Sequence, residues 1–153
     1  MKSIKLIIVF TILSIVAFSC KKNNGNQAAI DRAIIQKYLK DSSLVADSTA
    51  SGLYYIISEA GDSIKPTTTS AVTVYYKGYL TSGVVFDQNP SGLPIEFSLL
   101  SVVKGWQEGI PLIGKGGKIK LLIPSALGYG TTAHGAIPAN SILIFDIQLD
   151  SFR

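Results

Sequence analysis

The sequence predicts an α+β protein in which an antiparallel sheet wraps over one short helix, with a separate helix near the N-terminus. Three observations carry this expectation. From Gly52 onward the chain falls into short runs rich in Val, Ile, Tyr and Phe, divided by Gly, Pro, Asn and Ser. One stretch in that region, "SVVKGWQEGIPLI", reads as helix instead, stopped near Pro111. Five or six strands around one central helix, in that order, fit an antiparallel sheet with its helix on one face.

The first element is a leader. "MKSIKLIIVFTILSIVAFSCKKNN" places Lys2 and Lys5 before an apolar run from Leu6 to Phe18, which gives way to Ser19 and Cys20. That run is shorter than the roughly 20 apolar residues a spanning helix needs. A basic start, a short apolar middle and a small residue before the break read as a secretory signal over residues 1–19. Cys20 is the only cysteine, so no intramolecular disulfide can form. "AFSC" resembles the bacterial lipoprotein box, in which the cysteine is lipidated and becomes the first mature residue. This implies a protein anchored at a membrane surface of the bacterial envelope, on the periplasmic side, without spanning it. The plainer alternative is an ordinary signal peptide with Cys20 incidental.

Cleavage removes two of the 14 basic residues and leaves 12 against 10 acidic ones, a net charge of +2. So small an excess gives no electrostatic footprint for nucleic acid. The 47% hydrophobic content is inflated by the leader and overstates the core.

Residues 20–51 form a second unit. "KKNNGNQ" suits a flexible tether. In "AAIDRAIIQKYLKDS", Ile30, Ile34 and Tyr38 fall at i, i+4 and i+8, one apolar stripe on a helix of about three turns. The stripe serves packing on the main domain and dimerisation through residues 28–41 equally well. "DSSLVADSTAS" then reads as a linker.

Residues 52–153 are the folded domain. "GLYYIIS" is a strand closed by "EAGDSIKP". "AVTVYYKGYL" alternates, with Val72, Val74 and Tyr76 on one face and Thr73, Tyr75 and Lys77 on the other. "TSG" turns into the strand "VVFD", and "QNPSGLP" is a loop. "IEFSL" precedes the helix, "GKGG" turns the chain into "KIKLLIP", and a long loop leads to the final strand "SILIFDIQLDSF".

Several chemistries lack their parts. "GIPLIGKG" misses a phosphate-binding loop by one residue, since Gly116 stands where a hydroxyl would hold Mg²⁺. It also leaves a helix and enters a strand, the reverse of the required context. His134 is the only histidine and Cys20 lies outside the domain, so no nucleophile–base triad can be assembled. No ligand cluster has recognisable metal spacing. Asp87, Glu96, Glu108 and Asp146 each lack an acidic companion. No cofactor is implied.

What the domain does hold is aromatic surface: Tyr76, Phe86, Phe97, Trp106, Tyr129 and Phe145. Phe97 reads as core. Trp106, between Gly105 and polar "QEG" on a very short helix, suits a pocket floor.

Five blocks in order, "VTVYYKGYL", "VVFD", "VVKGWQEGI", "LLIPSALGYG" and "IPANSILIFDIQL", give the chain its identity at this level. From Gly52 to Phe152 it resembles the FKBP-type peptidyl-prolyl cis-trans isomerases, the FK506-binding proteins. The resemblance implies a half-barrel of antiparallel strands on one short helix. It also implies a proline pocket walled by Tyr76, Phe86, Val102, Val103, Ile137 and Phe145 and floored by Trp106. Asp87, Tyr129 and the Val103 N–H are its implied polar contacts. Tyr76, Asp87, Tyr129 and Phe145 are the implied catalytic group. Ile95, where the family often has an aromatic, and His134 in the overhanging loop join the implied substrate contacts. Ile95, Ser101 and Ala136 depart from the common pattern and bear on macrolide affinity more than on isomerisation. The implied partners are proline-containing peptides or unfolded proteins, and FK506-type macrolides. A binding module or chaperone using the same pocket without turnover is the alternative, and a structural lipoprotein docking one fixed partner is a third.

Such a pocket needs no nucleophile. Rotation about an amide opposes a barrier of about 18–20 kcal/mol, and an unaided X–Pro bond waits tens of seconds or more. Twisting removes resonance and lowers charge on the carbonyl oxygen. A dehydrated apolar cavity therefore favours the twisted state over the planar one. A thousandfold acceleration asks for only about 4 kcal/mol.

Overall fold

A computed structural model describes residues 24–89 and 92–153. The expected signal segment and Cys20 lie outside the described residues.

The first helix, α1 (Asn24–Asp41), has 18 residues, longer than the three turns its apolar spacing suggests, and takes in part of the expected tether. Its docking face also differs from the predicted stripe. Ile35 and Leu39 are buried together with Asp31, whereas Ile30 and Ile34 are 43% and 37% exposed. The true stripe is Asp31, Ile35 and Leu39, again at i, i+4 and i+8 but rotated by one residue, about 100° round the axis. A carboxylate in the buried row hid it from an apolar count. Half-buried Tyr38 packs beside it.

The expected linker is also structured. Leu44 and Ala46 pack beneath α1, and β1 (Asp47–Ser48) pairs with β2 (Tyr54–Glu59). The remaining strands are β3 (Ala71–Leu80), β4 (Val85–Gln88), β5 (Ile95–Ser98), β6 (Lys118–Ile123) and β7 (Leu143–Phe152). They lie where the alternation placed them. All pairings are antiparallel, in the order β1-β2-β6-β7-β3-β4, with β5 sharing the outer edge of β3.

Register sorts the side chains. Tyr76 stands opposite Ile147, which stands opposite Ile119, and Gly78 opposite Phe145 and then Leu121. These rows, with Val72, Val74, Leu143 and Leu149, form the inner face and the main core. The short helix α2 (Lys104–Gly109) lies against it. A Cβ on Gly105 would sit 2.6 Å from Ile123, and one on Gly109 2.5 Å from Leu121, so glycine at both positions lets the helix backbone rest on β6. That closeness brings Trp106, 4% exposed, into the sheet's concavity. On the outer face the row Tyr54, Leu122, Ile144 and Tyr79 receives Ile35 and Leu39 of α1. The sheet is thus helix-covered on both faces, by α2 within and by α1 over one end without.

Candidate active site

The inner face gathers five aromatic rings edge to face. Trp106 lies 5.4 Å from Tyr76, 5.5 Å from Phe97 and 5.2 Å from Phe145 between centroids. Tyr76 lies 5.6 Å from Phe97, and Phe86 5.4 Å from Phe145. All these pairs cross at 78–84°, the arrangement that sets a positive ring edge on a negative face. Gly78 makes the last pair possible. A Cβ there would meet Phe86 at 2.6 Å and Phe145 at 2.7 Å, so the missing side chain is the space the two rings occupy.

Two adjoining recesses open over this floor. One, of about 260 Å³, is lined by Tyr76, Phe97, Val102, Val103 and Trp106, with Ser101 at its edge. The other, of about 220 Å³, is lined by Phe86, His134, Ala136 and Ile137. Asp87, Tyr129 and Phe145 line both.

The polar groups sit at the shared wall. Tyr76 Oη donates to Asp87 Oδ2 at 2.9 Å. Burial, then the hydrogen bond and the charge of Asp87, hold the Tyr76 phenol up at about 12. Burial and the Asp87 charge likewise raise Tyr129. Both hydroxyls are neutral donors at ordinary pH. The His134 ring stacks on Tyr129, centroids 4.2 Å apart and planes within 8°, and the His134 and Ile137 backbones exchange hydrogen bonds at 2.9 Å. The expected loop thus folds back on itself and carries Tyr129, His134 and buried Ile137 to one side of the recess. Val103 is the N-cap of α2. Its carbonyl accepts from Trp106 N–H at 2.9 Å and Gln107 N–H at 3.3 Å, while no acceptor among the described residues meets its own N–H.

Two features escape the sequence reading. Phe97, expected in the core, lines the recess and touches both Tyr76 and Trp106. Ile95, expected in the wall, stands half-buried opposite Val74 and lines neither recess. Both residues face inward on β5, but Phe97 lies nearer the turn into α2, and its ring spans the gap to Trp106. The second feature is Asn89. The partners of β3 change between Lys77 and Val74, where β4 ends at Gln88 and β5 begins at Ile95. Asn89 fills that break. Its Oδ1 accepts from Tyr76 N–H, its Nδ2 donates to Leu93 O at 2.9 Å and Val74 O at 3.3 Å, and its own N–H donates to Tyr76 O at 3.2 Å. An asparagine in "QNPSGLP" signals a turn. Only the fold shows that it holds Tyr76 in place.

Among the described residues no group of three His, Cys, Asp or Glu side chains is placed to hold a metal ion. A larger depression of about 590 Å³ lies on the outer face, beside Ile56, Tyr75 and Lys77. Two of its flanking lysines are engaged, Lys118 with Glu59 at 2.7 Å and Lys120 with Asp146. Among the described residues, the inner recess joins an aromatic floor to the Tyr129 hydroxyl and the Val103 N–H.

Known proteins resemble this chain in sequence and fold. Residues 62–150 match the family model described as FKBP-type peptidyl-prolyl cis-trans isomerase. FKBP-type peptidyl-prolyl cis-trans isomerase FkpA of Buchnera aphidicola subsp. Schizaphis graminum is 44% identical over 149 residues, covering 90% of this chain and 59% of that protein. FkpA of Escherichia coli is 40% identical over 130 residues, covering 84% of this chain and 47% of that protein. The crystal structure of Escherichia coli FkpA superposes with a TM-score of 0.73 at 38% identity, covering 84% of this chain and 62% of that one. A Pseudomonas syringae peptidyl-prolyl cis-trans isomerase gives 0.72 at 28% identity, covering 84% and 94%. The chain spans about half the length of the FkpA sequences it matches.

Proposed function

The chain belongs to the FKBP-type peptidyl-prolyl cis-trans isomerase family, and we propose that its inner recess catalyses cis-trans isomerisation of X–Pro bonds by binding alone. The observation that carries this reading is the edge-to-face aromatic floor of Trp106, Tyr76, Phe97 and Phe145 beside neutral donors.

The proline ring seats on Trp106 between Tyr76, Phe145 and Val103. Phe86 and Ile137 cover the flanking residues. As the amide twists, its carbonyl oxygen loses charge and suffers less from leaving water, so the apolar recess lowers the barrier. The Tyr129 hydroxyl and Val103 N–H hold the neighbouring carbonyls and fix the direction of twist. Asp87 locks the Tyr76 hydroxyl, which keeps that ring upright as a wall. No proton moves and no bond is made or broken. His134 supports Tyr129 by stacking.

Trp106 is the only tryptophan, so its fluorescence reports occupancy directly. Titration with a short X–Pro peptide should change its emission saturably, and an FK506-type macrolide should compete. An unchanged Trp106 signal with a peptide whose isomerisation is nonetheless accelerated would place catalysis elsewhere.

We place the protein in the bacterial envelope, tethered by lipid on Cys20, with unfolded secreted proteins as clients. Incorporation of a palmitate analogue that disappears in Cys20→Ala tests the tether, and a native protein without label contradicts it. The exposed Ile30 and Ile34 leave α1 a face for dimerisation within residues 28–41. Sedimentation equilibrium at micromolar concentration decides that point.

A further inference from the structure

The helix α1 precedes the segment that matches the family model, yet it grips both ends of the loop that carries Tyr129. Asp31 is 1% exposed. Its Oδ2 accepts from the Ser125 N–H at 2.8 Å and from Ser125 Oγ at 2.7 Å, and its Oδ1 accepts from Gln27 Nε2 at 2.7 Å. Ser125, 3% exposed, is the pivot of the turn. Its carbonyl accepts the N–H of Gly128 at 3.0 Å and of Gly130 at 2.8 Å, the two neighbours of Tyr129. The Gly130 carbonyl in turn accepts from Asn140 N–H at 2.8 Å, closing the loop across its base. Further along α1, Ile35 and Leu39 pack with Leu122 before the loop and with Ile142 and Ile144 after it.

An apolar side chain at position 31 would simply extend the Ile35–Leu39 row. A buried carboxylate loses its hydration, and well-packed apolar groups often serve stability as well or better. What the carboxylate adds is direction, since Oδ2 holds Ser125 by both backbone and side chain while Oδ1 is held by Gln27 of its own helix. We propose that Asp31 is a positioning residue for the recess. Through Ser125 it sets the turn that holds the Tyr129 hydroxyl at the rim. The consequence for turnover rests on the isomerase reading; the placement of Tyr129 by Asp31 does not.

The test compares the native protein with Asp31→Ala, Asp31→Asn and Ser125→Ala, each ¹⁵N-labelled and assayed on one X–Pro peptide. Asp31→Ala should shift the amide resonances of Gly128, Tyr129 and Gly130 and lower kcat about tenfold, with KM within about twofold. Asp31→Asn keeps one acceptor oxygen and should recover part of both effects. Ser125→Ala keeps the N–H bond and the carbonyl, and should move the same resonances less. Native resonance positions in Asp31→Ala, or native kcat with only the melting temperature lowered, overturn the proposal. Should Asp31→Ala fail to fold, Ser125→Ala decides, and unmoved resonances there overturn it. A native protein that turns over no X–Pro peptide defeats the isomerase reading, while the resonances still judge the placement.

Discussion

The Tyr76 hydroxyl reaches Asp87 Oδ2 at 2.9 Å and ties β3 to β4 at the mouth of the aromatic recess. Because the bond uses the neutral phenol as donor, it weakens as Tyr76 ionises.

The first prediction follows from that sign. In the folded protein the Tyr76 pKa stands at about 12 against an ordinary 10.0. A raised folded pKa favours the protonated form, so the stability it brings is complete below pH 10 and is lost as pH climbs toward 12. Urea midpoints measured from neutral pH into that window should fall. Tyr76→Phe should remove part of the fall, with the remainder set by Tyr79 and Tyr129, which burial also raises. An identical fall in Tyr76→Phe contradicts the assignment.

Trp106 is both floor and core. Trp106→Ala should cost about 3–5 kcal/mol of stability, whereas Trp106→Leu keeps apolar volume and should fold. We expect Trp106→Leu to bind X–Pro peptide more weakly, measured by calorimetry, since the ring that seats proline is gone.

Gly78→Ala tests how tightly the recess is built. The added methyl meets Phe86 and Phe145 within 2.8 Å, and such overpacking costs about 1–3 kcal/mol. The two rings must part to admit it. Turnover should fall while circular dichroism keeps its native shape.

Asn89→Ala removes the side chain that bridges the break along β3. The Tyr76 N–H and Val74 carbonyl lose a partner, at a cost of about 1–3 kcal/mol if the group stays unsatisfied. Hydrogen exchange at the Tyr76 amide should speed up first. Exchange at native rates would show that solvent or backbone replaces Asn89 without loss.

The sheet was largely legible because alternation reports a half-buried strand directly: Val72, Val74 and Tyr76 point inward as their spacing said. Trp106 stood out for a similar reason, a large ring among glycines and polar residues. Three things were hidden. The buried row of α1 contains Asp31, whose charge is made tolerable by Gln27 on its own helix and by Ser125, 94 residues away. Phe97 and Ile95 share one face of one short strand, so alternation cannot say which of them reaches Trp106. Asn89 acts through a break in strand pairing, a property of three strands at once. Local pattern reveals the faces of the strands; it does not reveal partners distant along the chain.

The most direct measurement is the rate of cis-trans isomerisation of a short X–Pro peptide by the purified protein, with and without an FK506-type inhibitor, beside Phe145→Ala. Acceleration by the native protein that the inhibitor removes, and that Phe145→Ala lacks while still folded, is the predicted result. A folded native protein that leaves the uncatalysed rate unchanged would contradict catalysis in this recess.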